Sequence, residues 1–453
     1  MKNMILKFTR LNIILVLLLM HGISYPVAAQ DMLQQYVSEA LKNNLGIQNQ
    51  NFAFQKSIYA LKEAKGLFLP DVNFNTQYLA SGGGRKIEIP VGDLLNPVYS
   101  SLNNLTGTGN FPQIENVSQT FNPNNYYDAK VHTSMPLYNA EIIYNSRIKK
   151  EQISLQQAQM IVYKRELIKN VKVAYYGYQQ SLKAVKVLES GVVLAQENLK
   201  INQSMVKNGK AIRTVVSRAQ NELTGLVSQL EDARLQSTNA AAYFNFLLNK
   251  PLNSLVEVSL SPVSFYKTDS VKSAKREELI ALEAAERVNA LAVRLNKTSA
   301  LPKLSTFLDL GAQGDFIKVN NQSPYYLFGI TLSWQIFTGN RYKNKVQQAS
   351  LDLKVAQTQT SMAEQQLQLE AQTAQNKLTA AIQSYKAAMS QTALSAQYFR
   401  DEQRLYKEGE ALYIELLDAQ TQLINDQLKE SISYLNVQTR ETELERAAAS
   451  YIF

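Results

Sequence analysis

Few side chains in this chain are suited to covalent or acid–base chemistry. There are two histidines, His21 and His132, and no cysteine. Nucleophile–histidine sets and His/Cys metal sites therefore lack their parts. The missing cysteine also excludes disulfides, thiolate chemistry and a lipid carried on an N-terminal cysteine. Carboxylate pairs remain, such as Glu277 with Glu278, but on a helix such a pair reads as a solvated face. No catalytic site, metal or cofactor is expected. The formal net charge is +9, yet no basic run with interleaved aromatics accompanies it, so nucleic acid is not an expected partner.

The elements that carry these residues are unusual. Lys2, Lys7 and Arg10, then an apolar core over Leu11 to Met20, then Val27-Ala28-Ala29 read as a signal peptide over residues 1–29. The apolar run is shorter than the roughly 20 residues a membrane helix needs. Export would remove three basic residues, leaving +6 of the +9, and His21. Met32 to about Lys65 follows as one helix, with Leu33, Val37, Leu41 and Leu45 in steps of four.

Period-two alternation then predicts strands at about 70–81 and 126–138, and again at about 302–313 and 325–338. Between the first two lies a stretch rich in Gly, Asn, Ser and Pro, residues 82–125, which reads as a long loop. Helical periodicity covers 139–204, 214–249, 272–297, 340–404 and 414–450. The stripe Val346, Ala349, Leu353, Ala356, Thr360, Ala363, Leu367, Ala371, Ala374, Leu378, Ala381, Tyr385 and Ala388 advances in threes and fours with one stutter, and its small residues predict a narrow coiled-coil seam. A helix over 340–404 is roughly 100 Å long at about 1.5 Å per residue, which no compact domain requires.

The order helix, strand, loop, strand, long helix, turn, helix occurs twice, dividing the chain at 30–250 and 251–453. Leu69-Pro70 echoes Leu301-Pro302, Met205-Val206-Lys207-Asn208-Gly209 echoes Leu405-Tyr406-Lys407-Glu408-Gly409, and Ala219-Gln220 echoes Ala419-Gln420. Ordered echoes, the last two at nearly constant spacing, indicate duplication.

Each strand is about ten residues long with one apolar face, as in a membrane barrel. Aromatics such as Tyr127, Tyr326 and Trp334 fall near strand ends, where interfacial girdles lie. Four strands cannot close a barrel, and an open edge is not tolerated in lipid. Membrane insertion would therefore require several copies, two giving eight strands and three giving twelve.

The duplicated order, the Leu-Pro strand entries, and Tyr406-Lys407-Glu408-Gly409 followed by Tyr413-Ile414-Glu415-Leu416-Leu417-Asp418-Ala419-Gln420 resemble the TolC-like outer-membrane efflux and secretion channels. The resemblance covers nearly all of the mature chain. It implies a fold that is mainly α with membrane β: a homotrimer whose twelve-stranded outer-membrane barrel, four strands per protomer, continues into a long periplasmic α-helical barrel. It implies an exit duct in the outer membrane of a Gram-negative bacterium, working with a periplasmic adaptor (membrane fusion protein) and an inner-membrane RND or ABC pump.

By the same resemblance the gate comprises Asp418, Glu415 and Tyr406, and the turns at Gly209 and Gly409, with Arg213, Ala219 and Ala419, take the adaptor. Three copies of Asp418 around an axis would repel one another and attract cations. Two departures stand out. Ala411 replaces the family's second-turn arginine and Val215 its first-turn acid, leaving Arg213, Arg218 and Arg404 as candidates for substitute links. Residues 82–125 exceed the family's usual loops, with an extracellular lid and a tolerated insertion both open. The competing readings are a soluble periplasmic coiled-coil adaptor and, last, an enzyme. Cargo is not specified by these residues.

Overall fold

A computed structural model describes residues 27–122, 124–258 and 276–451. The signal-peptide expectation and His21 fall largely outside these residues, as does the stretch 259–275 that opens the expected 272–297 helix. The elements are α1 (Val27–Asn43), α2 (Leu45–Gly66), β1 (Asp71–Leu79), β2 (Lys86–Ile89), α3 (Val91–Thr106), β3 (Val117–Thr120), β4 (Tyr126–Tyr138), α4 (Ala140–Lys207), α5 (Arg213–Leu247), α6 (Glu277–Lys297), β5 (Lys303–Asp315), β6 (Pro324–Ser333), α7 (Arg341–Glu408) and α8 (Tyr413–Ala447). Helices α4 and α7 are each 68 residues long, and α5 and α8 are each 35. The chain falls into two compact units, one of Met1–Ile58, Glu151–Val288 and Leu353–Phe453, the other of Tyr59–Lys150 and Asn289–Asp352. Each unit thus draws on both sequence repeats, so the repeats are not separate bodies.

In the helical unit, small residues let long helices pack closely. Every residue of the α7 stripe from Leu353 to Ala388 is buried or half-buried, including the stutter at Leu367 and Ala371. Ala374, Leu378, Ala381 and Tyr385 pack with Val437, Leu444 and Ala447 of α8. Leu188, Val192 and Ala195 of α4 pack with Leu226, Leu230 and Ala233 of α5. A third cluster joins Val37 and Ala40 of α1 to Val171 and Tyr175 of α4 and Phe244 of α5.

The single helix expected over 32–65 is two. The Asn44 carboxamide oxygen accepts from the Gly46 and Ile47 amides at 2.9 and 3.3 Å, capping α2. Its nitrogen donates to the Leu247 carbonyl. The apolar step of four runs straight through this cap, which hides it from periodicity. A side chain at Gly46 would overlap the Tyr163 hydroxyl.

Glu277 and Glu278 are not the solvated face expected of them. Arg165 donates twice to Glu277, both at 2.7 Å, and Glu278 accepts from Arg276 and Arg446. Burial works to raise the Glu278 carboxyl, but the hydrogen bonds from Arg276 and Arg446 outweigh it and hold it at about 2. Burial alone pushes Glu441 on α8 up to about 7.

The other unit holds a four-stranded antiparallel sheet in the order β1-β4-β5-β6. β1 and β6 are its open edges. Register places Val72, Phe74 and Tyr78 opposite Thr133, Val131 and Tyr127, and Leu310, Leu308, Thr306 and Leu304 opposite Tyr326, Phe328, Ile330 and Leu332. These residues share one face, and Phe74, Tyr326, Phe328, Ile330 and Leu332 on it are all exposed by more than half. The opposite face is mostly polar, with Phe307 and Leu327 among its polar residues. There Asp309 meets His132 at 2.5 Å and Lys130 at 3.3 Å, and the Tyr325 hydroxyl donates to Asp128 at 2.8 Å. Gly329 leaves space for the Phe307 ring on this face. Helices α2, α4, α6 and α7 all join the sheet at one end, and the β1–β4 and β5–β6 connections lie at the other.

Two expectations are corrected here. Residues 82–125 are not an unstructured loop but a lobe of hairpin β2–β3 around helix α3. Its polar composition hid helix α3 because the asparagines work inside the lobe. Asn96 and Asn103 each bond both ways with a backbone, to Ile114 and to Phe111. β6 also ends at Ser333 rather than near 338, so Trp334 lies beyond the strand, its indole N–H donating to the Ala300 carbonyl at 3.0 Å.

Candidate functional site

The two turns that join the long helices have the same build. In α4–α5, Gly209 has φ 70° and Lys210 N–H reaches the Met205 carbonyl at 2.8 Å, with Gly209 N–H on Val206. In α7–α8, Gly409 has φ 84°, Glu410 N–H reaches the Leu405 carbonyl at 2.9 Å, and Gly409 N–H binds Tyr406. Both are helix ends closed by a left-handed glycine. Ile212 and Leu412 then enter the next helix in extended conformation. No polar side chain occupies either cap position, and the Glu415 carboxylate takes the Leu412 N–H at 2.7 Å instead.

Between the turns sits an apolar cluster of Ala219, Phe399, Tyr406, Tyr413, Leu416, Ala419 and Leu423. Two polar links cross it. The Tyr406 hydroxyl donates a short hydrogen bond to the Asn202 carboxamide oxygen. Asn198 donates to the Gln420 carboxamide oxygen at 2.6 Å. Asn198, Asn202 and Gln420 are all at most 2% exposed. The Asn202 and Gln420 amide nitrogens have no partner, and each such buried donor costs about 1–3 kcal/mol. Burial raises Tyr406, and raises Tyr413 to about 12 with help from Glu222. Both phenols are therefore neutral at physiological pH. The two rings lie 5.7 Å apart.

Several residues expected at the site have different surroundings. Tyr406 is central to it, but its partner Asn202 lies on α4, seven residues before Gly209. Asp418 is exposed near the α8 start. Glu415 is engaged as a helix cap. Arg213, Arg218 and Arg404 are exposed and make no ion pair within the described residues, so they do not replace the missing salt bridge inside one chain. Ala219 and Ala419, 1% and 0% exposed, are seam residues of the cluster and offer no surface to an adaptor. Tyr127 is 8% exposed, covered where its hydroxyl reaches the Lys318 carbonyl, whereas Tyr326 is 78% and Trp334 57% exposed. Gln420 ends the second-turn motif, whereas no motif marks Asn198 or Asn202. The helical stripe alone would have placed three amides on a buried seam, which was the available signal.

A sheet apolar on one outer face and open at both edges, whose strands feed 68-residue helices, defines a channel-forming membrane protein. A family model described as outer membrane efflux protein matches residues 36–250 and 272–450, and the chain belongs to that family. Its function is that of an outer-membrane exit duct extending into the periplasm. The fold is shared with the Campylobacter jejuni CmeC outer membrane channel, at 15% identity and TM-score 0.75 over 92% of this chain and 85% of that one. It is also shared with the outer membrane protein VceC from Vibrio cholerae, at 12% identity and TM-score 0.73 over 92% and 95%. The open state of the Neisseria gonorrhoeae MtrE outer membrane channel matches at 15% identity and TM-score 0.72, over 92% and 88%. No curated protein matches the chain by sequence. The family and these neighbours are channels rather than enzymes.

Proposed function

We propose that three copies assemble into one duct, closed at its helical turns by a neutral latch. The exposed apolar sheet face carries this reading. Phe74, Phe328, Ile330 and Leu332 stand in solvent in the single chain, and edges β1 and β6 are unpaired. Lipid accounts for the face, and edge-to-edge pairing of copies accounts for the edges. With four strands each, three copies make a twelve-stranded barrel. The helical unit supports the same assembly. Val355, Met362 and Leu369 form an exposed heptad stripe on α7, off its buried stripe, and a neighbouring copy's helix would cover it.

In this assembly the polar sheet face lines the lumen, and Asp418 recurs three times around the axis at the turns. The latch of Tyr406–Asn202 and Asn198–Gln420 holds α7 and α8 against α4 within each copy. Opening requires the turns to spread, which breaks these links. A periplasmic adaptor and an inner-membrane pump are the partners this geometry suits, with docking on the exposed outer surface around Gly209, Arg213 and Gly409 rather than on the buried alanines. The soluble adaptor reading leaves the apolar sheet face unexplained.

The test is reconstitution of the purified protein in planar bilayers. Discrete cation-selective steps are expected, with selectivity reduced in Asp418→Ala. A protein that never conducts would overturn the duct. Steps whose selectivity is unmoved by Asp418→Ala would remove the acidic ring while leaving the duct.

A further inference from the structure

The lobe between β1 and β4 is built as a docking element. Its interior is closed by its own polar side chains. Asn96 and Asn103 clamp the segment running back along α3, Asn116 and Asp93 exchange hydrogen bonds, and Tyr99 rests 5.7 Å from the Phe111 ring. Gly92 permits the Ile114 carbonyl to approach, where a side chain would clash. The helix face turned away from this interior carries Leu94, Val98 and Leu105, which are 69%, 51% and 83% exposed. A rigid lobe with an open apolar stripe requires something to cover it.

Lipid is a poor occupant. Helices that lie on membranes carry Lys or Arg on the polar face, and there is neither between Ile87 and Ala129. A complementary surface lies on this same chain, at the same end of the sheet. The β5–β6 turn holds Phe316, Ile317 and Val319, exposed by 61%, 67% and 72%. Phe316 and Ile317 have φ of 52° and 56°, a left-handed backbone held within the chain by the Phe316 N–H on the Asn125 carbonyl at 2.5 Å, which leaves their side chains facing outward. The lobe joins edge strand β1 to β4, and the turn joins β5 to the opposite edge strand β6. If copies pair edge to edge, the lobe of one copy lies beside the turn of the next.

We propose that the α3 stripe of each copy packs on the Phe316, Ile317 and Val319 turn of its neighbour, forming a ring of lobes that staples the barrel rim. This rests on the barrel reading given above. The occupant is therefore a second copy of this chain, and the interface continues the one that closes the sheet.

The test uses the full-length chain in detergent, and the absence of native cysteine makes introduced thiols unique. Leu105→Cys with Val319→Cys is treated with a flexible bismaleimide and run on denaturing gels, while the size of the same sample is measured in solution. A covalent trimer at least tenfold more abundant than in either single-cysteine variant is expected. It should be lost when Leu94→Asp and Val98→Asp are added, with barrel folding checked by heat-modifiable mobility. Trimers in solution without the covalent band would overturn the staple and leave the barrel intact. A band that survives the two aspartates would overturn the apolar basis of the contact. Monomers in solution would overturn the barrel reading, and the staple with it.

Discussion

Replacing Tyr406 by Phe removes one oxygen and leaves the ring packing in place. In the structure that oxygen satisfies Asn202, which is fully buried and whose amide nitrogen already lacks a partner among the described residues. Loss of the bond leaves the whole Asn202 carboxamide without a protein partner, at a cost of about 1–3 kcal/mol per copy. Spreading of the turns would hydrate the amide and relieve that cost, so the variant shifts toward open by roughly 5- to 150-fold per copy. Three copies moving together multiply the factor. The assay is single-channel recording in planar bilayers, scored as open probability. Adding Asn202→Leu to Tyr406→Phe should restore closure, because a hydrogen-bonding pair replaced by apolar groups of similar shape is nearly neutral. The latch carries no charge, and burial keeps the Tyr406 phenol neutral. Closure should therefore not weaken as salt rises from 0.1 to 1 M, over which the screening length falls from about 10 to about 3 Å and any repulsion within the Asp418 ring is screened. An unchanged open probability in Tyr406→Phe, or a wild-type gate that opens as salt rises, would refute the neutral latch.

Other outcomes follow from the same geometry. Gly409→Ala forces a side chain into a backbone with φ 84° and should destabilise the turn by about 1 kcal/mol or more; Gly209→Ala should do the same, and thermal melts of the two variants against wild type measure it. Glu278 is held at about 2 against its ordinary value of 4.5, so its contribution is present above 4.5 and lost as pH falls toward 2; Glu278→Gln should lower the melting temperature at pH 7 and flatten its fall between pH 4.5 and 2. Glu441 has the opposite sign. Its pKa is raised to about 7 from 4.5, so its burial costs nothing at low pH and progressively more as pH rises through that window. Glu441→Gln should raise the melting temperature at pH 8 and leave it unchanged at pH 4. Glu415→Ala removes the carboxylate on the Leu412 N–H and should fray the first turn of α8, costing about 0.5–2 kcal/mol, visible as faster amide exchange over Tyr413 to Leu416.

Period and punctuation made most of the architecture legible along the chain. Alternation exposed the strands, the threes and fours of the α7 stripe exposed the coiled coil, and glycine marked both turns, because each depends on residues near one another in sequence. The Asn44 break and the α3 lobe did not show, since a side-chain cap can interrupt a helix without disturbing its period, and a polar composition can be internal staples as readily as loop. The site divided along the same line. A local motif points to Tyr406, which the structure places in the buried cluster, but Asn198 and Asn202 lie more than 200 residues from Tyr406 and Gln420, and nothing local distinguishes a buried amide on a seam from a solvated one. Glu415, which the motif places at the gate, also caps α8, and the two turn alanines expected at the adaptor surface lie in the core. Which polar groups meet across the helices, and which apolar ones are left facing outward, depends on how distant segments pack, and packing is not a local property of the chain.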